Sequence, residues 1–497
     1  MDRSKDAAGD RSKIGADFLQ LNLAEAPSGG VTDWLTTRLR LAIAQGRLPV
    51  GTRLPPSRVL AAELRVSRGV VTEVYQRLAE DGQVAGRGRA GTVVVAAPAA
   101  PAPVEVPMRA ASAAVFTAEP EAGIIESLRA IPARIDLSPG VPDLAAFPRT
   151  AWLRAERKVL GELSPAEFGY GDPRGAPAFR RAVADWLARY RGIAVSPEEV
   201  TIMAGVAQAL GLLAQVLRDE GIGTVAVEDP SSLGARLYLR GRGMRTPPIP
   251  VDSGGLVVGE LRASGAPAVL LTPAHQFPTG VVLDGQRRRE LLSWAREGGL
   301  VIEDDYDAEH RYDRPPVPAL RSMLAEVCYA GSVSKLLAPA LRVGWLLVPE
   351  KYRDAVVAAK RDADLGNAIL PQLVLGELMT SGELERQLRL LRRRHRRRRD
   401  AMIEAIRTWL PDARVHGAAA GLHLVITFDD GFADTELAAA ALDRGVKVQP
   451  LSWHRQRPGN PGLVLGYAAN SASAIAEGVE TLGNLRRRLS QVTMSGT

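Results

Sequence analysis

Cysteine occurs once in this chain of 497 residues, at Cys328. A single thiol closes no internal disulfide, which fits a reducing compartment. Long apolar runs are missing as well. No stretch of about 18 residues is apolar throughout, as a membrane-spanning helix requires. The opening residues, MDRSKDAAGDRSK, lack the apolar centre of a secretory signal. No internal repeat is found and no metal site is expected. An acidic excess is absent too: 63 Lys and Arg against 56 Asp and Glu leave a net +7, a modest bias toward polyanions. These absences predict a soluble cytoplasmic protein without a membrane partner.

What is present is globular in composition, with 24% charged and 46% hydrophobic residues. The length exceeds one ordinary core and predicts two or three domains. One composition break divides the chain. Residues 96–104 read AAPAAPAPV, and Ala, Pro and small polar residues persist to about Ala130. Such a stretch buries little apolar surface and its prolines keep it extended. The expected organisation is a tail over 1–30, a small domain over 31–97, a flexible linker over 98–134, a large domain over 135–488 and a tail over 489–497.

The small domain holds ten arginines and no lysine against five acids, so most of the basic excess sits there. Its pattern is three helices and a hairpin. Leu35, Leu39 and Ile43 make a helical stripe ended by Gly46 and Pro49. Ser57 is expected to cap a second helix, and Ser67 a third whose inward residues are Val70, Val71, Val74, Tyr75 and Leu78. The short turn between them suits a helix-turn-helix. Gly82–Val84, a glycine-rich turn and Thr92–Val95 predict a β-hairpin wing. A helix opening Ser67-Arg68-Gly69 offers a hydroxyl, a guanidinium and backbone N–H groups to phosphate and base edges. Arg58 opens the preceding helix, placed to grip backbone phosphate. The bland alternative is a small basic domain whose arginines only solvate it.

The string LAIAQGRLPVGTRLPPSRVLAAELRVSRGVVTEVYQRLAEDGQVAGRGRAGTVV resembles the winged helix of GntR-type transcription regulators along its whole length. The resemblance implies operator contacts from Arg58, Ser67, Arg68, Gly69 and Thr72, and from Arg87, Arg89 and Gly91 in the wing. Many relatives have Thr at the Gly69 position, which removes one expected base contact.

The large domain alternates helical and strand patterns. Runs such as Thr224–Val227, Ala268–Leu271 and Leu300–Ile302 predict a buried parallel sheet. After about residue 350, long helices precede GLHLVITF and LVLGYA, the pattern of a smaller α/β lobe. Lys335 follows a strand in Gly331-Ser332-Val333-Ser334-Lys335, with Arg342 behind it. A lysine so placed can form a Schiff base with an aldehyde cofactor, and Ser332 and Arg342 could hold a phosphate. Glu303, Asp304 and Asp305 end another strand, where open α/β sheets place ligands. Gly205-Val206-Ala207 before an apolar helix offers N–H groups to a phosphate. Singly, each has a plain structural alternative: a surface lysine, an acidic loop, a capped helix.

In order, these motifs resemble the fold-type-I pyridoxal phosphate enzymes of the aspartate aminotransferase kind, from about Ile135 to Arg488. The resemblance implies Lys335 as the Schiff-base lysine and Asp304 as the carboxylate on the pyridine nitrogen. Tyr306 falls beside the 3-hydroxyl, and Val206, Ala207, Ser332 and Arg342 form the phosphate cup. Tyr170 matches the tyrosine that reaches a neighbouring subunit's phosphate, which implies a homodimer. Joined to the winged helix, the strings TPAHQFPTG, IEDDYDAEHRY, SVSKLLAPALRVGW and GLHLVITF resemble the MocR subfamily of GntR-type regulators. The implied architecture is multidomain α/β: winged helix-turn-helix, linker, and a pyridoxal-phosphate-dependent transferase fold with large and small lobes. Its homodimer would be head-to-tail, each winged helix against the partner's aminotransferase-like domain.

Two departures bear on function. Ser232 stands where the family commonly stacks an aromatic on the pyridine ring. Leu463 stands where an arginine binds a substrate carboxylate, with Arg455 and Arg457 as candidate substitutes. Both gaps weaken turnover more than binding. The leading expectation is a regulator that senses an amino compound, or pyridoxal phosphate itself, through an aldimine at Lys335. Its targets would be genes of vitamin B6, amino-acid or amine metabolism. An active aminotransferase with an accessory DNA-binding head is the alternative, and plain phosphate or nucleotide binding is a third reading.

The run LRLLRRRHRRRRD, residues 388–400, holds eight arginines. Leu384, Leu388, Leu391, His395, Met402 and Ile406 recur at helical spacing, so it is expected to be one amphipathic helix with its arginines in water. Contact with DNA is the less favoured reading.

Overall fold

The computed structural model describes residues 30–86, 88, 91–96, 115–116, 120–307, 309–312, 317–429 and 431–495, with Leu21, Ala26 and Pro27. They fall into two compact units, divided after Val106.

The first unit contains α1 (Val31–Ala44), α2 (Ser57–Glu63), α3 (Arg68–Glu80), β1 (Val84–Gly86) and β2 (Thr92–Val94). Leu35, Leu39 and Ile43 of α1 meet Val71, Val74 and Leu78 of α3 in one core with Leu60, Val84 and Val94. Burial of each such side chain stabilises the unit by about 1.5–3 kcal/mol. Ser67 caps α3, its side chain accepting from Val70 N at 3.4 Å. Ser57 does not cap α2. It is the first helical residue, and the extended Pro56 takes the cap position with no side-chain bond. Tyr75 Oη donates to Pro55 O at 2.7 Å, tying α3 to the turn that precedes α2. In the hairpin Val84 pairs with Val94.

The second unit begins with α4 (Ile124–Ala130), β3 (Ile135–Asp136), α5 (Arg149–Glu162) and α6 (Pro177–Arg191). Strands and helices then alternate: β4 (Thr201–Met203), α7 (Val206–Asp219), β5 (Ala226–Asp229), α8 (Leu233–Gly241), β6 (Pro248–Asp252) and β7 (Gly255–Leu256). Next come α9 (Val258–Ala263), β8 (Ala268–Leu271), α10 (Gly285–Arg296), β9 (Leu300–Asp305), β10 (Cys328–Ser332) and β11 (Gly344–Leu347). After α11 (Glu350–Asp364), α12 (Ile369–Thr380) and α13 (Glu383–Trp409) follow β12 (Arg414–His416), β13 (His423–Thr427) and α14 (Asp434–Asp443). The chain ends with β14 (Val446–Lys447), β15 (Gln449–Pro450), β16 (Gly462–Gly466) and α15 (Ala472–Ser495).

The central sheet has the order β4-β11-β10-β9-β8-β5-β6-β7. It is mixed rather than parallel throughout. β10, β9, β8, β5 and β6 run parallel, whereas β11 is antiparallel to both β10 and β4, and β7 to β6. Strand periodicity divides the apolar residues between two faces. Ala268 and Leu270 share a core with Ile302, Ala330 and Leu346, while Val269 and Leu271 share another with Val301 and Val327. The small lobe carries the sheet β12-β13-β16-β15, packed on α13 and α15.

Three further expectations need correction. Part of the stretch read as linker is folded: Leu128 of α4 and Phe116 are buried in the small-lobe core, with Phe116 stacked on Trp453 at 5.0 Å. Apolar residues at 116, 124, 125 and 128 outweigh the local Ala and Pro content. The tail expected over 489–497 is helical to Ser495. The apolar stripe of α13 is buried as expected, but its arginines are not all in water. Arg392 Nε donates to Glu309 O at 2.8 Å and Arg399 Nη1 to Ala418 O at 3.1 Å. Arg394 and Arg398 stand 3.0 and 2.9 Å from Asp143, whose side chain is fully buried. Among the described residues no helix is long and apolar enough to cross a membrane.

Candidate functional site

The carboxyl ends of β9 and β10 bring the chemistry together. In their parallel register Ala330 faces Asp304 and Gly331 faces Asp305, so Asp304 and the Ser332–Lys335 turn lie at one edge of the sheet. Lys335 Nζ donates to Gly140 O. Gly140 has a φ of +78°, and a Cβ there would stand 2.8 Å from Nζ. The glycine therefore leaves room for the amine. Burial, then the nearby Arg129 guanidinium, pushes the Lys335 amine down to about 8 against the pull of Asp304 and Asp307. A group so shifted is neutral far more often at neutral pH than an ordinary lysine.

Asp304 is buried in the opposite sense. Desolvation, then Asp305 and Asp307, pushes its carboxyl up to about 7, with Lys335 opposing. Its Oδ1 is buried and has no hydrogen-bond partner among the described residues. An unpartnered buried carboxyl oxygen at a strand end is costly unless a donor arrives from a ligand. Asp305, by contrast, is structural: Arg191 and Tyr329 both bond its Oδ2 at 2.5 Å. Tyr306 follows, its Oη 3.0 Å from His275 Nδ1, and the same nitrogen lies 2.8 Å from Asp307 Oδ2. Burial, then Asp307, holds the Tyr306 phenol protonated.

A second cradle lies at the start of α7. Arg342 occupies left-handed backbone at φ +52° and donates to Ala204 O. Gly205, at φ +86°, would put a Cβ 3.3 Å from Arg342 Nη1. A Cβ on Gly344 would meet Gly205 Cα at 3.0 Å and Ser332 Cβ at 3.1 Å. The missing side chains thus let Ser332, Arg342 and the start of α7, with the N–H groups of Val206 and Ala207, lie close together. Helix N-termini with such donors suit phosphate.

Tyr170 stands apart at 94% exposure, free to reach outside its own chain. Leu463 is buried in β16 and offers no cation. Arg455 donates to Asn460 O at 2.6 Å and Arg457 to Pro248 O at 3.1 Å, so both candidate substitutes are already engaged. Ser232 caps α8, accepting from Ala235 N at 3.3 Å. Beside it a cavity of about 20 Å³ is lined by Glu228, Arg236, Thr272, Phe277 and Asp304. Sequence reasoning missed Gly140, the His275–Asp307 pair and the His310–His395 contact at 5.1 Å, where His310 Nε2 lies 3.3 Å from Lys335 O. The strings TPAHQFPTG and IEDDYDAEHRY contain His275, Asp307 and His310. The contacts join residues remote in sequence, so neither string by itself shows the pairing.

In the first unit Arg58, Ser67, Arg68, Gly69 and Thr72 are all exposed at the starts of α2 and α3. Thr72 Oγ1 donates to Arg68 O at 2.9 Å. Gly91, at φ +78°, packs its α-carbon against Arg53, where a Cβ would come within 3.1 Å of Nε. Arg87 and Arg89 lie outside the described residues.

Fold and site together define a class: a GntR-type helix-turn-helix joined to an aminotransferase domain of fold type I. The family model for bacterial regulatory proteins of the gntR family matches residues 33–94, and that for aminotransferase class I and II matches residues 133–470. The probable rhizopine catabolism regulatory protein MocR of Rhizobium meliloti is 31% identical over 456 residues, 90% of this chain and 92% of that protein. The pyridoxine biosynthesis transcriptional regulator PdxR of Corynebacterium glutamicum is 31% identical over 89% of this chain and 92% of its own. Among solved structures, the α-aminoadipate aminotransferase LysN of Thermus thermophilus, complexed with N-(5'-phosphopyridoxyl)-L-leucine, superposes with a TM-score of 0.67 at 28% identity, covering 77% of this chain and 97% of that one. The chain belongs to the MocR subfamily of GntR-type transcription regulators.

Proposed function

We propose that this protein is a pyridoxal-phosphate-responsive transcription regulator that reads an amino compound, or the supply of the cofactor itself, at the edge of β9 and β10. The observation that carries the reading is the unpartnered, buried Oδ1 of Asp304 beside a lysine of lowered basicity. Bound pyridoxal phosphate supplies an amine-reactive aldehyde and an electron-withdrawing ring. Asp304 would accept from the pyridine N–H, which provides the missing partner. Tyr306 would face the 3-hydroxyl, and Lys335 the aldehyde. Ser332, Arg342 and the N–H groups of Val206 and Ala207 would hold the phosphate, joined by Tyr170 of a second copy in a head-to-tail homodimer. Arg58, Ser67, Arg68, Gly69, Thr72 and the wing around Arg87, Arg89 and Gly91 would contact operator DNA. Genes of vitamin B6, amino-acid or amine metabolism are the expected targets.

Binding rather than turnover suits a site whose carboxylate-gripping position is Leu463. The test is to load the full chain with pyridoxal phosphate and follow its visible absorbance and its retention of DNA from its own upstream region. The band should vanish in Lys335→Ala while that variant still binds DNA, and amines should alter the DNA complex only in the wild type. Multiple-turnover transamination without specific DNA retention would overturn the proposal.

A further inference from the structure

The loop after β8 and the end of β9 bring three side chains into one buried knot. His275 Nδ1 lies 2.8 Å from Asp307 Oδ2 and 3.0 Å from Tyr306 Oη. Two glycines leave room for the imidazole and fix its place. A Cβ on Gly280, at φ +72°, would stand 3.1 Å from Nε2. One on Gly421, at φ +85°, would collide with Cε1 and stand 2.8 Å from Asp307 Oδ2.

Hydrogen counting assigns the roles. A carboxylate oxygen only accepts, so the proton between Nδ1 and Asp307 belongs to the nitrogen. The other tautomer would set two lone pairs against each other at 2.8 Å. It would also bury an N–H at Nε2, which has no hydrogen-bond partner among the described residues. Tyr306 brings a second hydrogen. Asp307 draws on its hydroxyl too and, after burial, is the next cause of the raised phenol. Two hydrogens thus serve one resident carboxylate. With the imidazole N–H on Asp307, the Tyr306 hydrogen is left for an oxygen that arrives with a ligand. Without that N–H the carboxylate would claim the phenol hydrogen, because a buried charge lacking a donor is costly.

We infer that His275 is a positioning residue: by satisfying Asp307 it turns the Tyr306 hydroxyl into a donor to the ring oxygen of bound pyridoxal phosphate. This rests on the proposed cofactor site. A donor on that oxygen steadies its negative charge, so a proton nearby leaves more easily and the visible band titrates at lower pH. His423, its ring centroid 5.5 Å from that of His275, and His310 are each pushed down to about 4, by burial first. Both stay neutral across that titration. Asp304 and Glu228 bear on Tyr306, and Lys335, Glu309, Tyr312 and Tyr467 on Asp307. These groups are common to every variant, so differences between variants report the knot.

The full chain, loaded with pyridoxal phosphate, is titrated by its visible absorbance. Tyr306→Phe should raise the midpoint by about 1 to 2 units, as loss of one hydrogen bond to a charged oxygen predicts. His275→Phe should raise it equally, and the double variant no further, since both changes remove the same donor. An asparagine amide sets an N–H where Nδ1 stands, and a glutamine amide sets it farther out. His275→Asn should therefore hold the wild-type midpoint and His275→Gln should not, a pair that serves where the phenylalanine variant fails to fold. Equal midpoints for these two, moved or unmoved, overturn this inference alone, as do additive shifts in the double variant. A histidine that only packs would change the melting temperature and leave every midpoint together. An unmoved Tyr306→Phe overturns the placement of Tyr306 and the inference with it. A wild type that gives no visible band on loading overturns the cofactor reading itself.

Discussion

Lys335 is pulled two ways: burial and Arg129 favour the neutral amine, and Asp304 and Asp307 favour the charged one. Below pH about 8 it carries its proton, and above that it does not. Only the neutral amine attacks an aldehyde. Borohydride trapping of pyridoxal phosphate on this residue should therefore rise as pH passes about 8. Removing the neighbouring cation in Arg129→Gln lets the amine keep its proton longer and moves the rise to higher pH. Superimposable profiles would dismiss Arg129 as an influence. Asp304→Asn should weaken cofactor affinity by about 10- to 100-fold, the worth of a hydrogen bond to a charged group, read by fluorescence titration. Lys335, Asp304 and Arg342 were legible from sequence because each sits in a local string set by its own strand end. Gly140 was not, since its carbonyl meets Lys335 across 195 residues.

The start of α3 was legible from Ser67, a capping residue followed by apolar positions at helical spacing. Ser57 misled because the prolines before α2 already fix an extended entry, leaving no cap for the serine to make. Ser67→Ala should cost up to about 1 kcal/mol of unfolding free energy in the first unit. Arg68→Ala should leave that stability alone and reduce operator affinity, a split that urea titration and DNA binding together can read. In α13 the stripe of leucines was legible, but the sorting of its arginines was not. Which faces of the helix meet carbonyl groups is decided by loops far along the chain. Asp143→Ala should strip the partner from Arg394 and Arg398 and destabilise the second unit by on the order of 3 kcal/mol. The figure sits at the low end because the Arg394 side chain is 39% exposed.

Composition and motif order made the two-unit organisation legible, as well as the alternation of strand and helix. The reversed course of β11 was not, because a short apolar run reads the same in either direction. The folded part of the supposed linker was hidden for a related reason: its few apolar residues gain meaning only from the surface they cover. That surface is the small lobe, where Phe116 lies on Trp453 and Leu128 joins Leu424, Phe428 and Val446. A gene cut to begin at residue 135, where composition invites it, would leave this pocket bare. Each side chain so removed is worth about 3–5 kcal/mol for a buried aromatic and 2–5 for a leucine. Such a fragment should express mainly as aggregate, while one beginning at residue 107 should elute as a folded species in gel filtration. Equal behaviour of the two would show the segment to be dispensable. For anyone dissecting this protein, the place to cut lies before Phe116, inside the alanine–proline stretch.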